Sequence, residues 1–456
     1  MIRHSPGLTP ERLTAGLQKV LDHHDALRST LRPVGGVWEL ETLPRGAVDA
    51  ADLIRRATDP DHLVVDPGWS LRPDAGQMVR AVWWDAGPDR PGRLLLVLHH
   101  LVVDGVSWRI LLPDLAAAVE GRALEPVGTS LRGWAEHLTA LAQDPARVAE
   151  LPLWTEVLEG PDPLIGARAL DPVRDTVATV RHLRLTLSPE RTEPLLTRVP
   201  AVFHGGVNDV LLTGLALAVA DWRRRKRQAD AAAGVLVDLE GHGREDVVEG
   251  ADLSRTVGWF TSLYPVRLEP GVVDWADVWA GGVEVGQALK RVKEQLRALP
   301  DNGIGYGLLR HLNPETSARL AGLPAPHIGF NYLGRLTSGT DTDWAASPEA
   351  DGLGGGADDA MPLPHALEIN ALTEDGPDGS RLGAVWSWPD GLLTEDDVRD
   401  LAETWFRALD ALAAHAERPG AGGHTPSDLT LVSLTQDEID AFEDELELGT
   451  EWEMPK

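Results

Sequence analysis

The sequence predicts a protein of mixed helix and strand, α/β or α+β in class, built from two lobes of similar size. Three observations predict it. The chain has 456 residues, more than a single hydrophobic core usually serves. Helical and strand patterns alternate along both halves. A Pro- and Gly-containing stretch without a strong period, residues 160–178, falls between them and reads as an inter-lobe linker. One lobe is therefore expected over residues 1–165 and the other over 166–456.

The elements follow in chain order. Residues 9–32, TPERLTAGLQKVLDHHDALRSTLR, read as an amphipathic helix with Thr9 as N-cap and Glu11 in its first turn. Strands are expected at 37–42 and 77–84. The turn cluster Gly87–Gly92 leads into a strand at 93–100. Residues 106–120 predict a helix, and 130–159 one or two more with Trp134, Leu138, Leu141 and Trp154 inward. The second half predicts strands at 181–187, 234–240, 261–268, 327–333, 365–373 and 381–388. Helices are expected at 207–226, 276–299 and 394–416. Gly352–Asp359 reads as a mobile surface loop, and the acidic end, DEIDAFEDELELGTEWEMPK, as a frayed helix or tail.

Composition narrows the function. Net charge is −29, whereas a nucleic-acid binder needs a basic surface to neutralise phosphates. The one dense basic run, Arg223–Arg227, closes a helix, where cations suit the macrodipole. Without cysteine there is no disulfide framework, thiolate nucleophile or Cys-built metal site. No apolar run is long enough to span a bilayer, and the N-terminus lacks the apolar core of a signal peptide. A cytoplasmic location, no membrane and no nucleic-acid partner are expected, leaving catalysis or protein binding.

Four stretches bring polar residues to the ends of apolar segments. In LLLVLHHLVVDGVSW a buried strand runs into His99 and His100. Adjacent strand residues face opposite ways, so the pair divides its roles: one packs and the other reaches a cleft. Histidine suits general base work near neutrality. Asp104 orients a ring or clamps the loop through an arginine, for which Arg28 is a candidate. Gly105 suits a turn with unusual backbone angles. The second His pair, in DHHDALR at 22–28, sits on a helix with an apolar opposite face and reads as surface or packing residues. In VLVDLEGHGRE, 235–245, Glu240 ends a strand, and Arg244 pairs with Glu240 or Glu245. The glycines of NGIGYGLLRHL, 302–312, lack the spacing and setting of a nucleotide loop and have no Walker lysine; backbone lining a narrow passage is the better reading. In HIGFNYLGR, 327–335, Asn331 and Tyr332 are potential hydrogen-bond donors to an oxyanion.

Together these stretches resemble the epimerisation domains of nonribosomal peptide synthetases. Those domains lie in the condensation-domain superfamily, with its chloramphenicol-acetyltransferase-like fold. HHLVVDGVSW matches the superfamily's HHxxxDG with its SW extension, so Ser107 and Trp108 join the supporting residues. VDLEGHGRE, TVGWFTSLYPV, PDNGIGYGLLRHL and FNYLGR match epimerisation motifs in the family's order, from about residue 7 to 445. The resemblance implies two α+β sandwich lobes in a V with a tunnel between them. The tunnel would admit the 4'-phosphopantetheine arm of a carrier protein bearing an aminoacyl or peptidyl thioester. It also implies an isomerase that inverts the α-carbon from L to D by general acid/base proton transfer. His100 and Glu240 would be the acid/base groups, and Asn331 and Tyr332 would hold the enolate or orient Glu240. Arg244 would tune Glu240, Asp104 would be structural, and His99 and Gly105 would be supporting residues. No cofactor or metal of its own is implied. The partners would be a carrier protein and further synthetase modules; oligomeric state is left open by the sequence, with a monomer as the default expectation.

One departure stands out. The family begins with a further helix and strand before the segment matching 9–32, so an N-lobe lacking both, with an exposed sheet edge, is expected. Two rivals share the fold: an amide-forming condensation domain, and a non-catalytic recruitment domain. EGHGRE and FNYLGR argue against the first, and the intact His100 motif and Glu240 argue against the second.

Overall fold

The computed structural model describes residues 1–449 apart from 5, 60–62, 64–68, 227–233, 338–342, 345–356, 430 and 433. Residues 352–356 of the expected surface loop and 450–456 of the acidic end lie outside the described residues. The chain divides into two compact units.

The first unit comprises Met1–Asp144, His242–Ser262 and Thr337–Gly356. Its strands are β1 (Ile2–His4), β2 (Ser29–Val34), β3 (Val37–Thr42), β4 (Ile54–Ala57), β5 (Val79–Trp84) and β6 (Gly92–Leu98). Its helices are α1 (Pro10–His23), α2 (Gly105–Val119) and α3 (Leu131–Leu141). Four strands form a sheet in the order β1-β6-β5-β4. Leu13, Leu17, Val20 and Leu21 of α1 are buried with Ile110, Leu111 and Leu115 of α2 and Val79, Ala81, Trp83 and Leu94 of the sheet. The three- and four-residue spacings on α1 turn these side chains onto one face.

Two expectations are corrected here. The first strand is present: Ile2 pairs with Leu94 and His4 with Gly92, antiparallel, so this edge of β6 is covered. The helix expected over 9–32 ends at His23. Past a short 3-10 turn, β2 pairs with β3 across Gly35-Gly36, both at positive φ. Val-Gly-Gly-Val is a two-residue hairpin turn, and Pro33 could not donate to a helix.

The second unit comprises Pro145–Gly241, Leu263–Leu336 and Ala357–Lys456. Its helices begin with α4 (Pro145–Val148) and α5 (Leu151–Glu159). Strand β7 (Val180–Thr186), helices α6 (Pro189–Leu196), α7 (Arg198–Val202) and α8 (Val207–Arg225), then strands β8 (Val235–Gly241) and β9 (Ser262–Leu268) follow. Next come α9 (Trp275–Trp279), α10 (Val283–Arg297), α11 (Ile304–Gly307), a π-helical turn (Leu308–Leu312) and α12 (Pro314–Ala321). Strands β10 (Ile328–Thr337), β11 (Leu367–Gly376) and β12 (Gly379–Pro389) precede α13 (Glu395–His415) and α14 (Gln436–Gly449). The six-stranded sheet runs β7-β12-β11-β10-β8-β9, with β8 and β10 parallel. One sheet face buries α8, α10 and α13. On the other, Leu236 of β8 packs with Trp154 and Leu158 of α5, Leu309 and Leu320.

This partition is not a single cut at residue 165. Residues 145–159 go with the second unit because α5 buries its tryptophan there. Residues 242–262 return to the first, held by Arg244 on Asp104 and by Thr129 N–H on the Asp252 carbonyl at 2.8 Å. Within the basic run at the end of α8, Arg223 pairs with Asp162, Arg225 with Asp221 and Asp400, and Lys226 with Asp397. Among the described residues no single helix is long and apolar enough to cross a membrane.

Candidate active site

Strand β6 delivers the first motif. His99 follows it in extended backbone, and its Nδ1 accepts the Leu101 N–H at 3.2 Å. An accepting nitrogen must be unprotonated. Burial, and behind it the neighbouring His100, hold His99 below the ordinary histidine range. His99 therefore caps the turn His100–Val102. The adjacent His100 is exposed, and its ring lies 4.4 Å from that of Trp259.

Asp104 is buried and ends the turn as the N-cap of α2. Its Oδ1 accepts the Ser107 N–H at 2.7 Å and lies 2.8 Å from the Ser107 hydroxyl. Its Oδ2 accepts the Phe260 N–H at 3.2 Å, and Arg244 Nη2 donates to both oxygens at 3.2 Å. Arg244 also donates to the carbonyls of Leu253 and Thr256 and lies over the Phe260 ring at 4.0 Å. Arg244 thus belongs to Asp104, and the expectation that it pairs with or tunes Glu240 is corrected. Arg28 is not the partner of Asp104 either. It donates to the carbonyls of Leu21, Asp22 and Leu43, tying the end of α1 to the β2–β3 hairpin. Gly105 opens α2 without positive φ, and nothing lies within 4 Å of where its Cβ would be. Its backbone angles do not demand glycine, contrary to expectation. Trp108 is half-buried on the first turn of α2.

The second motif crosses from one unit to the other between Gly241 and His242. Gly243 has φ +65, and a Cβ there would run into the Phe260 carbonyl, so glycine is obligatory. On β8, Val237 and Leu239 face the core with α8. Asp238 and Glu240 face the other way, and Glu240 is exposed at the strand end. Strand β10 runs parallel with Phe330 beside Leu239, which puts Asn331 beside Glu240. Asn331 Nδ2 donates to Glu240 Oε2 at 2.6 Å.

Tyr332, one residue on, faces the core instead. It packs with the large cluster, and its hydroxyl lies 2.9 Å from Thr373 Oγ1. Burial pushes its phenol up, so it stays protonated, but it points away from the face that carries Glu240. Of the two residues expected to hold the enolate or orient Glu240, Asn331 therefore grips that carboxylate and Tyr332 bonds Thr373 instead. Sequence reasoning missed a second pair on the Glu240 face of the sheet, His365 with Asp238. His365 Nε2 lies 3.0 Å from Asp238 Oδ2, and its ring fills the place a side chain at position 329 would need. The period-two spacing of Asp238 and Glu240 was the available signal.

The third motif is steric. Gly303 has φ +80, and a Cβ there would strike the Tyr264 ring; at Gly305 it would strike Glu150. Side chains, not a ligand, use these two spaces, while Gly307 faces open space. In the first unit, His23, His24 and Asp114 offer ligand atoms within 4.8 Å of one another. Arg255 already lies 2.5 Å from Asp114 Oδ1, and His24 2.8 Å from Oδ2. That set is a buried ion-paired link, in which a guanidinium stands where a cation would.

The family model described as "Condensation domain" matches residues 1–430. One of the linear gramicidin synthase proteins of Brevibacillus parabrevis is 37% identical over 445 residues, 93% of this chain but 6% of that protein. Tyrocidine synthase 1 of the same organism is 31% identical over 454 residues, 95% of this chain and 40% of that protein. The chain thus spans a minor part of these curated relatives. Among solved structures, the epimerization domain from the third module of tyrocidine synthetase B superposes with a TM-score of 0.74 at 28% identity, covering 91% of each chain. The X-domain from teicoplanin biosynthesis reaches 0.62 at 18% identity, covering 91% of this chain and 90% of its own, a likeness of fold alone.

Proposed function

This chain belongs to the condensation-domain family, and from that premise we propose that it is an epimerising member. Its substrate would be an aminoacyl or peptidyl thioester on the phosphopantetheine arm of a carrier protein, whose α-carbon it inverts from L to D. The observation that carries the reading is the Glu240 carboxylate at the end of β8, gripped by the Asn331 amide at 2.6 Å. Amide formation has no need of a second, separately held acid/base group, whereas inversion does. One group removes the α-proton and another returns a proton to the opposite face of the carbanion. His100 and Glu240 are that pair. The thioester acidifies the α-proton, and the Asn331 amide keeps the carboxylate in one orientation. Proton transfer of this kind calls for no metal or cofactor of the chain's own. The likeness to the tyrocidine synthetase epimerization domain supports the same reading. The relatives are far longer synthases, so the carrier and further modules would be its partners.

The test is made in heavy water. A carrier protein loaded with L-aminoacyl or L-peptidyl phosphopantetheine is mixed with the chain, and the thioester is hydrolysed and analysed. D-product deuterated at the α-carbon is expected, and it should vanish in His100→Ala and Glu240→Gln. A new amide without exchange, when an acceptor is added, would instead mark a condensation domain. A folded chain that binds the carrier but does neither would be a recruitment domain.

A further inference from the structure

An imidazole that moves protons needs a fixed orientation, and the usual device is a hydrogen bond from its far nitrogen to a carboxylate or carbonyl. Among the described residues the His100 ring makes no hydrogen bond. Asp104, four residues on, is fully engaged elsewhere, by Ser107, Arg244 and Phe260. What touches the His100 ring is the Trp259 indole, with centroids 4.4 Å apart and planes at 43°.

Trp259 is itself 49% exposed, so core packing does not aim it; its backbone does. The preceding residue, Gly258, donates its N–H to the Ser107 hydroxyl at 3.2 Å, and its carbonyl lies 3.0 Å from the same oxygen. The following residue, Phe260, donates its N–H to Asp104 Oδ2 and has the Arg244 guanidinium over its ring. A Cβ at 258 would crowd Leu131 and the Phe260 ring, so this approach also depends on glycine. The cap of α2 thus holds both neighbours of Trp259, and the same cap closes the turn from which His100 projects.

Resting on the function proposed above, we infer that Trp259 is the positioning residue for His100. Its indole restricts the swing of the imidazole while leaving both ring nitrogens free for protons. Asp104 and Ser107 act on the chemistry through it. This assigns a role to the TVGWF stretch and a reason for a buried carboxylate that never touches the reacting atoms.

Trp259→Phe and Trp259→Leu separate the alternatives, with one readout independent of activity. The His100 ring-proton resonances, assigned by their loss in His100→Gln, sense the ring current of the indole. In Trp259→Leu they should move to the positions of a solvent-exposed histidine. At the same time kcat for α-proton exchange should fall on the order of 10-fold to 100-fold, the scale of a misplaced catalytic group, with KM little changed. Trp259→Phe, which keeps an aromatic face, should recover most of kcat. Unmoved His100 resonances, or a rise in KM with kcat intact, would overturn the inference and make Trp259 a substrate contact. A wild-type chain without exchange would overturn the activity reading, and the resonances would still decide the positioning.

Discussion

Single residues carry the sharpest consequences of this structure. Asn331 holds Glu240 through one charge-assisted hydrogen bond, the stronger kind. Asn331→Ala should lower kcat for α-proton exchange by about 10-fold to 100-fold without lowering the melting temperature. Steady-state exchange kinetics beside a thermal melt would check it, and an unimpaired kcat would free Glu240 from this partner. Tyr332 makes the opposite case. Its hydroxyl meets Thr373 within the core of its unit, so Tyr332→Phe should retain exchange within about twofold. Its cost should be about 1 kcal/mol of stability, the net worth of one hydrogen bond. Loss of activity in a stable Tyr332→Phe would show that strand alternation misleads at this position. Neither outcome could be read from the tetrapeptide FNYL alone, since it names two adjacent polar residues without saying which face is wet.

Whole elements depend on how their ends are tied. The cap of α2 joins Asp104 to the segment 242–262 through Arg244, Gly258 and Phe260. Burial pulls the Arg244 guanidinium down, and Asp104 opposes that. Asp104→Ala therefore strands a buried cation, and breaking such a pair costs about 3–5 kcal/mol. Urea denaturation should register this, together with loss of soluble yield, while a fully stable Asp104→Ala would place the carboxylate's importance in chemistry. The GIGYG turn divides its glycines similarly. Gly303→Ala should be destabilised, because the residue has positive φ and faces the Tyr264 ring, whereas Gly307→Ala should be tolerated or slightly stabilising. Paired melting curves test the contrast directly. The element boundaries were legible where period and caps agreed. β3 and α8 lie where the pattern put them. They were lost where a short strand left too few residues for a period, as at β1.

At the scale of the molecule, acid stability has an identifiable source. In the second unit Lys293 is fully buried and bonds Asp428 at 2.6 Å and the Phe203 carbonyl at 2.8 Å. Burial alone would raise the Asp428 carboxyl, but the Lys293 ammonium and the Thr425 amide outweigh it and hold the group below the usual carboxylate range. A depressed carboxyl binds its proton more readily in the unfolded chain. This contribution is therefore complete above the unfolded value of about 4 and is lost as pH falls through the folded one. Stability of the second unit should drop below about pH 4 in the native chain and less steeply in Asp428→Asn. Urea midpoints across pH 3 to 6 would check it, and parallel curves for the two proteins would remove Asp428 from the account.

The linear chain by itself determined the class, the order of most elements and the residues proposed to carry the chemistry. Those depend on local period, on turn residues and on ordered motifs, all written within a few positions of each other. Only the tertiary structure decided partners. Arg244 met Asp104, 140 positions away, and Arg28 met backbone carbonyls. Asn331 met Glu240 while Tyr332 turned to the core. Trp259 came to lie on His100, and residues 242–262 joined the unit of the first motif. Contacts between distant segments follow from burial and sheet register in three dimensions. A strand's sequence states that its faces alternate, but only packing states which face is core.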